Sequence, residues 1–121
     1  MIDINKFFCL DCQVKIYIPG TIDVNKDGAN LQQVYTKKAL ELFSNLFGGA
    51  TSGRYTGAWM SKNGLVTEDV NIIYAFCTGE QFRAGLESIY NFGREICINM
   101  GQEAVSLEFN NKLGFIEPGQ E

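Results

Sequence analysis

Histidine is absent from all 121 residues. Its absence removes Ser-His and Cys-His nucleophile pairs, histidine-ligated metals and the side chain that normally titrates near neutral pH. Arginine is scarce, with Arg54, Arg83 and Arg94 alone, and the formal net charge is −4. A nucleic-acid or anionic-membrane binder needs a basic face, so both partners are excluded as expectations. One small anionic ligand held by a few arginines remains compatible with the composition. No apolar run approaches the roughly 20 residues that span a bilayer. The opening MIDINKFFCLDCQ has no basic region, no long apolar stretch and no small-residue cleavage site, so a cytoplasmic protein is expected.

The hydrophobic content of 45% suits a folded chain rather than a disordered one, and the length suits one domain spanning 1–121. Four cysteines occur. Cys9 and Cys12 form C-x-x-C, but zinc would want a second close pair, and Cys77 and Cys97 stand apart. A redox motif of this spacing would follow a strand and open a helix, whereas here it leads into a strand. Reduced structural thiols are the reading, with no metal and no cofactor expected. Asp23-Val24-Asn25-Lys26-Asp27-Gly28 copies the start of a calcium loop, then fails at position twelve, where Val34 replaces glutamate. It reads as a polar lead-in to a helix.

Residues 1–11 form a lead-in. Cys12, Val14, Ile16 and Ile18 alternate inward along a first strand that Pro19-Gly20 closes. Leu31–Phe47 is an amphipathic helix, with Asn30 as N-cap, Gln33 as capping-box partner and Gly48-Gly49 as terminator. Its apolar face is Leu31, Val34, Tyr35, Ala39, Leu42, Phe43, Leu46 and Phe47. The stretch Gly53–Thr78 then organises the chain. It reads as two strands about a turn at Ser61-Lys62-Asn63-Gly64, because Asn-Gly between β-rich runs favours positive φ. From Ile72 to Cys77 both faces of the second strand are apolar, which predicts a central, core-forming position. Thr78 and Gln81 cap a second helix with a stripe of Phe82, Leu86, Ile89, Tyr90, Gly93, Ile96, Cys97 and Met100. Gly85 and Gly93 within it permit close approach of a sheet, a partner or a ligand. Glu103–Phe109 and Leu113–Ile116 form a last hairpin about Asn110-Asn111, and 117–121 is a tail. The order β-α-β-β-α-β-β predicts an α+β fold: an antiparallel sheet with two helices on one face, ferredoxin-like with an added strand. The uncovered face would need a partner, and a homo-oligomer, a dimer or higher, is the natural remedy.

Three clusters are candidates for function. Arg54, Tyr55 and Trp59 on the leading hairpin strand combine a guanidinium for phosphate with rings for a base; an exposed strand with Trp59 in the core or an interface is the competing reading. Phe82, Arg83 and Asn91, with Glu80, Glu87 and Arg94, lie along helix two, where a solvated face is the plainer account. Gln102 and Glu103 either bind a ligand or cap a turn. Glu68, Asp69, Glu103 and Glu108 offer carboxylates, with no spacing rule to select a catalytic pair.

LFGGAT (Leu46–Thr51), GAW (Gly57–Trp59), NGLVTEDVNIIYAF (Asn63–Phe76) and MGQEAVSLE (Met100–Glu108) resemble small hypothetical proteins of phages, prophages and mobile elements of Gram-positive bacteria. The order of these motifs is also similar to an uncharacterised bacterial domain family, over residues 14–117. The resemblance implies an anti-defence protein acting inside a bacterial host. One such group, the Thoeris anti-defence sponges, sequesters cyclic ADP-ribose-type signals without catalysis. The leading expectation is therefore a non-catalytic, oligomeric sponge for a small phosphate-bearing nucleotide signal, held by Arg54, Tyr55, Trp59, Phe82, Arg83, Asn91, Gln102 and Glu103. A protein-interaction module inhibiting a host enzyme is one alternative. A small enzyme using Glu103 or a cysteine thiolate is another.

Overall fold

The computed structural model describes residues 1–22 and 26–119, with the backbone alone for Lys26 and Asp27. After a 3-10 turn at Ile4–Lys6 come β1 (Cys12–Pro19), a short ribbon of β2 (Thr21–Ile22) and β3 (Lys26–Asp27), and helix α1 (Ala29–Phe47). The hairpin β4 (Thr51–Ser61) and β5 (Gly64–Cys77) follows, then α2 (Gly79–Asn99), β6 (Val105–Phe109) and β7 (Lys112–Ile116). The five longer strands make one antiparallel sheet in the order β4-β5-β1-β6-β7. This is the expected α+β architecture: a ferredoxin-like order with one strand added at the β7 edge, and two helices on one face. Asp23 and Asn25 of the calcium-loop-like stretch lie outside the described residues.

Alternation along each strand decides what is buried. Val14, Ile16 and Ile18 of β1 face the helices with Ile73, Ala75 and Cys77 of β5 and Val105 and Leu107 of β6. They meet Tyr35, Ala39, Phe43 and Phe47 from α1 and Ile89, Ile96, Cys97 and Met100 from α2. The expectation that both faces of β5 enter the core is corrected. Ile72 and Tyr74 lie half-buried on the opposite, open face, and Phe76 is 50% exposed there. No helix covers that side, and a side-chain period of two makes the assignment all or nothing.

Local signals fared unequally. Thr78 and Gln81 form the reciprocal capping box that opens α2. Helix α1 starts one residue before Asn30, with Gly28 at the cap and no side-chain cap bond. The loop between β4 and β5 is Lys62-Asn63, closed by the Ser61 hydroxyl, which accepts from the Asn63 amide and donates to the Gly64 carbonyl. Of its residues, Gly64 alone takes positive φ, at 116°. The turn with two consecutive positive φ values is Asn110-Asn111, at 49° and 69°. Val34, Leu86 and Tyr90, assigned to apolar stripes, are 41–46% exposed. Strand β6 begins at Val105, so Glu103 lies in the connection from α2.

Candidate functional site

The β4–β5 hairpin is longer than the strand beside it. Strand β1 pairs with β5 from Cys77 back to Val70, and residues 64–69 pair with β4 alone. The register sets Tyr55 opposite Val70, Gly57 opposite Glu68 and Trp59 opposite Val66, all on the open face. Arg54 is opposite Asn71 and points the other way. There it forms an exposed ion pair with Asp69, Nη2 to Oδ2 3.3 Å. The pleat therefore separates the guanidinium from the two rings it was expected to join.

On the open face, two adjoining clefts of about 130 and 230 Å³ share Glu68, Gln102 and Ala104. The smaller adds Tyr17, Pro19, Val70 and Ser106; the larger adds Thr21, Trp59 and Glu103. Three of the expected residues, Trp59, Gln102 and Glu103, thus line one cleft. Each is placed by a different device. Trp59 is carried by the projecting hairpin. Gln102 is anchored by its side-chain amide, which donates to the carbonyls of Thr21 and Met100, each at 2.9 Å. Glu103 is exposed in the α2–β6 connection at the mouth of the cleft. Glu68, not singled out among the carboxylates, accepts a 3.0 Å hydrogen bond from the Thr21 hydroxyl. One sequence signal could have found it: in a hairpin with a two-residue loop, Glu68 falls on the same face as Trp59.

Two glycines shape the wall. A Cβ on Gly53 would meet the Tyr55 ring at 2.8 Å, so that ring leans over Gly53. At Gly57 a Cβ would meet Val70 Cγ2 at 3.2 Å, so the Val70 side chain covers the strand between Tyr55 and Trp59. Next to the clefts, Glu108 accepts from the Tyr17 hydroxyl at 3.0 Å and pairs with Lys15 Nζ at 3.6 Å. Burial, helped by the bond to Glu108, pushes the Tyr17 hydroxyl pKa above the ordinary 10.0. The phenol therefore stays protonated. Among the residues whose side chains are described, neither cleft is lined by an arginine or a lysine. Among the described residues, no group of three or more Cys, Asp or Glu side chains is arranged to hold a metal ion.

The remaining candidates lie elsewhere. Phe82 stacks on Phe109 with ring centroids 5.6 Å apart, at the margin of the core. Arg83 borders an apolar groove of about 490 Å³ between α2 and the β6–β7 edge. Asn91 belongs to a shallow depression on α2 with Arg94, Ile98 and Asn99. Cys77 and Cys97 are buried, and burial raises both thiol pKa values above the ordinary 9.0. The thiolate route to catalysis has no support at these two positions.

The fold is shared with a phage protein of known structure. The chain superposes on a phage SAM lyase in complex with S-methyl-5'-thioadenosine at a TM-score of 0.61, with 18% identity over 88% of both chains. It superposes on a phage SAM lyase in the apo state at 0.61, with 16% identity over 93% of both chains. No family model matches the chain, and neither does any curated protein. At these identities the likeness is one of fold, to a small phage protein that binds a nucleoside. It overturns the expectation of a non-catalytic sponge, which rested on composition and on pairing Arg54 with Tyr55 and Trp59, because the chain shares its fold with an enzyme. Absent histidine is no bar to catalysis, because carboxylates also act as catalytic acids, bases and charge partners. Among the described residues no helix is long and apolar enough to cross a membrane.

Proposed function

We propose that this protein is a lyase that cleaves S-adenosylmethionine, and that it does so in the cleft of Trp59, Glu68, Gln102 and Glu103. The observation that carries the reading is the meeting of an indole and two carboxylates in a cleft that no described arginine or lysine lines, on a fold shared with a SAM lyase. A phosphate-bearing ligand would face Glu68 and Glu103 with no compensating charge among the described lining residues. A sulfonium nucleoside brings two positive centres, the sulfonium and the α-ammonium, to the same carboxylates. The Trp59 ring offers a face to the adenine base, worth about 1–3 kcal/mol for such stacking.

The chemistry needs little from the protein. The bond between the sulfonium sulfur and Cγ of the amino-acid chain breaks, and its electron pair returns to sulfur, releasing S-methyl-5'-thioadenosine. In the same step the substrate's own carboxylate oxygen bonds to Cγ and closes a five-membered lactone. No proton moves and no enzyme nucleophile is consumed, which suits a chain without histidine. Glu68, oriented by Thr21, holds the cationic end so that carboxylate and Cγ stay aligned; such positioning supplies a large part of a barrier reduction. Depleting S-adenosylmethionine inside an infected cell would starve methyl-dependent defences, which keeps the anti-defence setting while replacing binding by turnover. The test is chromatography of S-adenosylmethionine incubated with the protein. Stoichiometric methylthioadenosine and a four-carbon lactone are expected, with kcat/KM lowered at least about 100-fold in Glu68→Gln. Undiminished turnover in Glu68→Gln and Trp59→Ala would move the site elsewhere.

A further inference from the structure

The N-terminal arm and the groove beside α2 are two apolar surfaces that the single chain leaves uncovered. All of residues 1–10 are exposed, including Ile2 at 72%, Phe7 at 60% and Phe8 at 88%. The arm's hydrogen bonds are local: Asp3 caps the 3-10 turn, and the Cys9 thiol donates to the Phe7 carbonyl. The groove is lined by Leu86, Tyr90, Leu107 and Ile116, with Arg83 and Glu87 on its rim. No arm residue lines it.

We propose that the arm of one copy occupies the α2 groove of a second copy, in a reciprocal exchange. This inference is independent of the lyase reading, since the groove lies on the helix side of the sheet and the clefts on the open side. Charge and spacing match. Asp3 and Lys6 stand about 6 Å apart along a 3-10 rise of 2 Å per residue, and Arg83 and Glu87 stand about 6 Å apart along an α-helical rise of 1.5 Å. Neither Arg83 nor Glu87 joins an ion pair among the described residues. The large apolar residues of the arm expose roughly 900 Å² on all sides, apolar surface that docking in the groove would cover in part. Exchange between two copies covers both surfaces at once.

The test uses the full chain. Sedimentation of the wild type should show a reversible dimer, and Phe7→Asp with Phe8→Asp should raise its dissociation constant at least about 100-fold. These rings are exposed in the monomer, so its fold and circular dichroism should not change. Native Cys9 supplies the second readout. In Asn91→Cys, one helical turn beyond Glu87 and so level with Cys9 in this register, oxidation by a disulfide reagent should give a covalent dimer that adding Cys9→Ser abolishes. An internal cross-link within one chain, no cross-link at all, or a dimer indifferent to the Phe7/Phe8 change would each overturn the proposal.

Discussion

The two glycines inside α2 make a paired test of how the helix layer meets the sheet. Replacing glycine by alanine in a helix interior stabilises by about 1 kcal/mol through propensity alone. At Gly93 the new Cβ would lie 2.5 Å from Ile116 Cδ1, 3.0 Å from Cγ2 and 3.1 Å from Cβ. Ile116 is 5% exposed and fixed in β7 opposite Val105, so rotating its tip does not relieve the contact with its Cβ. Overpacking of this kind costs about 1–3 kcal/mol, and a contact reaching the strand's own Cβ belongs at the upper end. A net loss of about 2 kcal/mol remains, which lowers Tm by roughly 8 °C in a chain of this size. At Gly85 the new Cβ meets the ends of the half-buried Leu46 side chain, Cδ1 at 2.9 Å and Cδ2 at 3.3 Å. That side chain can turn aside, so Gly85→Ala should melt within about 2 °C of wild type or slightly above it. Thermal melts followed by circular dichroism decide the matter. If Gly93→Ala proves as stable as Gly85→Ala, the close approach of Gly93 to Ile116 does not set the spacing between α2 and β7, and the predicted penalty is refuted.

Other expectations follow from the same geometry. Among the four thiols, Cys9 should react at once with an aromatic disulfide reagent, while Cys77 and Cys97 should react on the timescale of unfolding; equal rates for all four would contradict their burial. The raised pKa of Tyr17 means that its contribution to stability is fully present below pH 10, the ordinary value, and is lost as pH rises through the higher folded one. Ultraviolet titration should show a late-ionising tyrosine component that vanishes in Tyr17→Phe. Arg54→Ala should leave stability and turnover near wild type, because its ion pair with Asp69 is exposed and on the far face; a large loss of activity would return Arg54 to the site.

Much of the fold was legible in the sequence because its signals are local. The alternation from Val14 to Ile18, the Thr78–Gln81 cap and the Asn110-Asn111 turn each act within a few residues, and each formed. What failed was the choice between faces. Ile72, Tyr74 and Phe76 are as apolar as Ile73, Ala75 and Cys77, so composition could not say which set α1 and α2 would cover. The same parity separated Arg54 from Tyr55, neighbours in sequence on opposite sides of a pleat. The candidate cleft was harder still. Trp59 and Gln102 come together through strand order and the α2–β6 connection, neither of which has a sequence signature. Glu68 sat nearer to legibility, since the hairpin register ties it to the face of Trp59. Absent histidine was given too much weight, because it excludes particular mechanisms and not catalysis.

Turnover at the carboxylate-lined cleft has a direct readout. The most direct measurement is proton NMR of S-adenosylmethionine mixed with a catalytic amount of the protein, following the S-methyl resonance. The sulfonium methyl signal should convert to the thioether methyl of methylthioadenosine over many turnovers, and Glu68→Gln should arrest the conversion. A sulfonium signal that persists unchanged beside folded wild-type protein would contradict the claim.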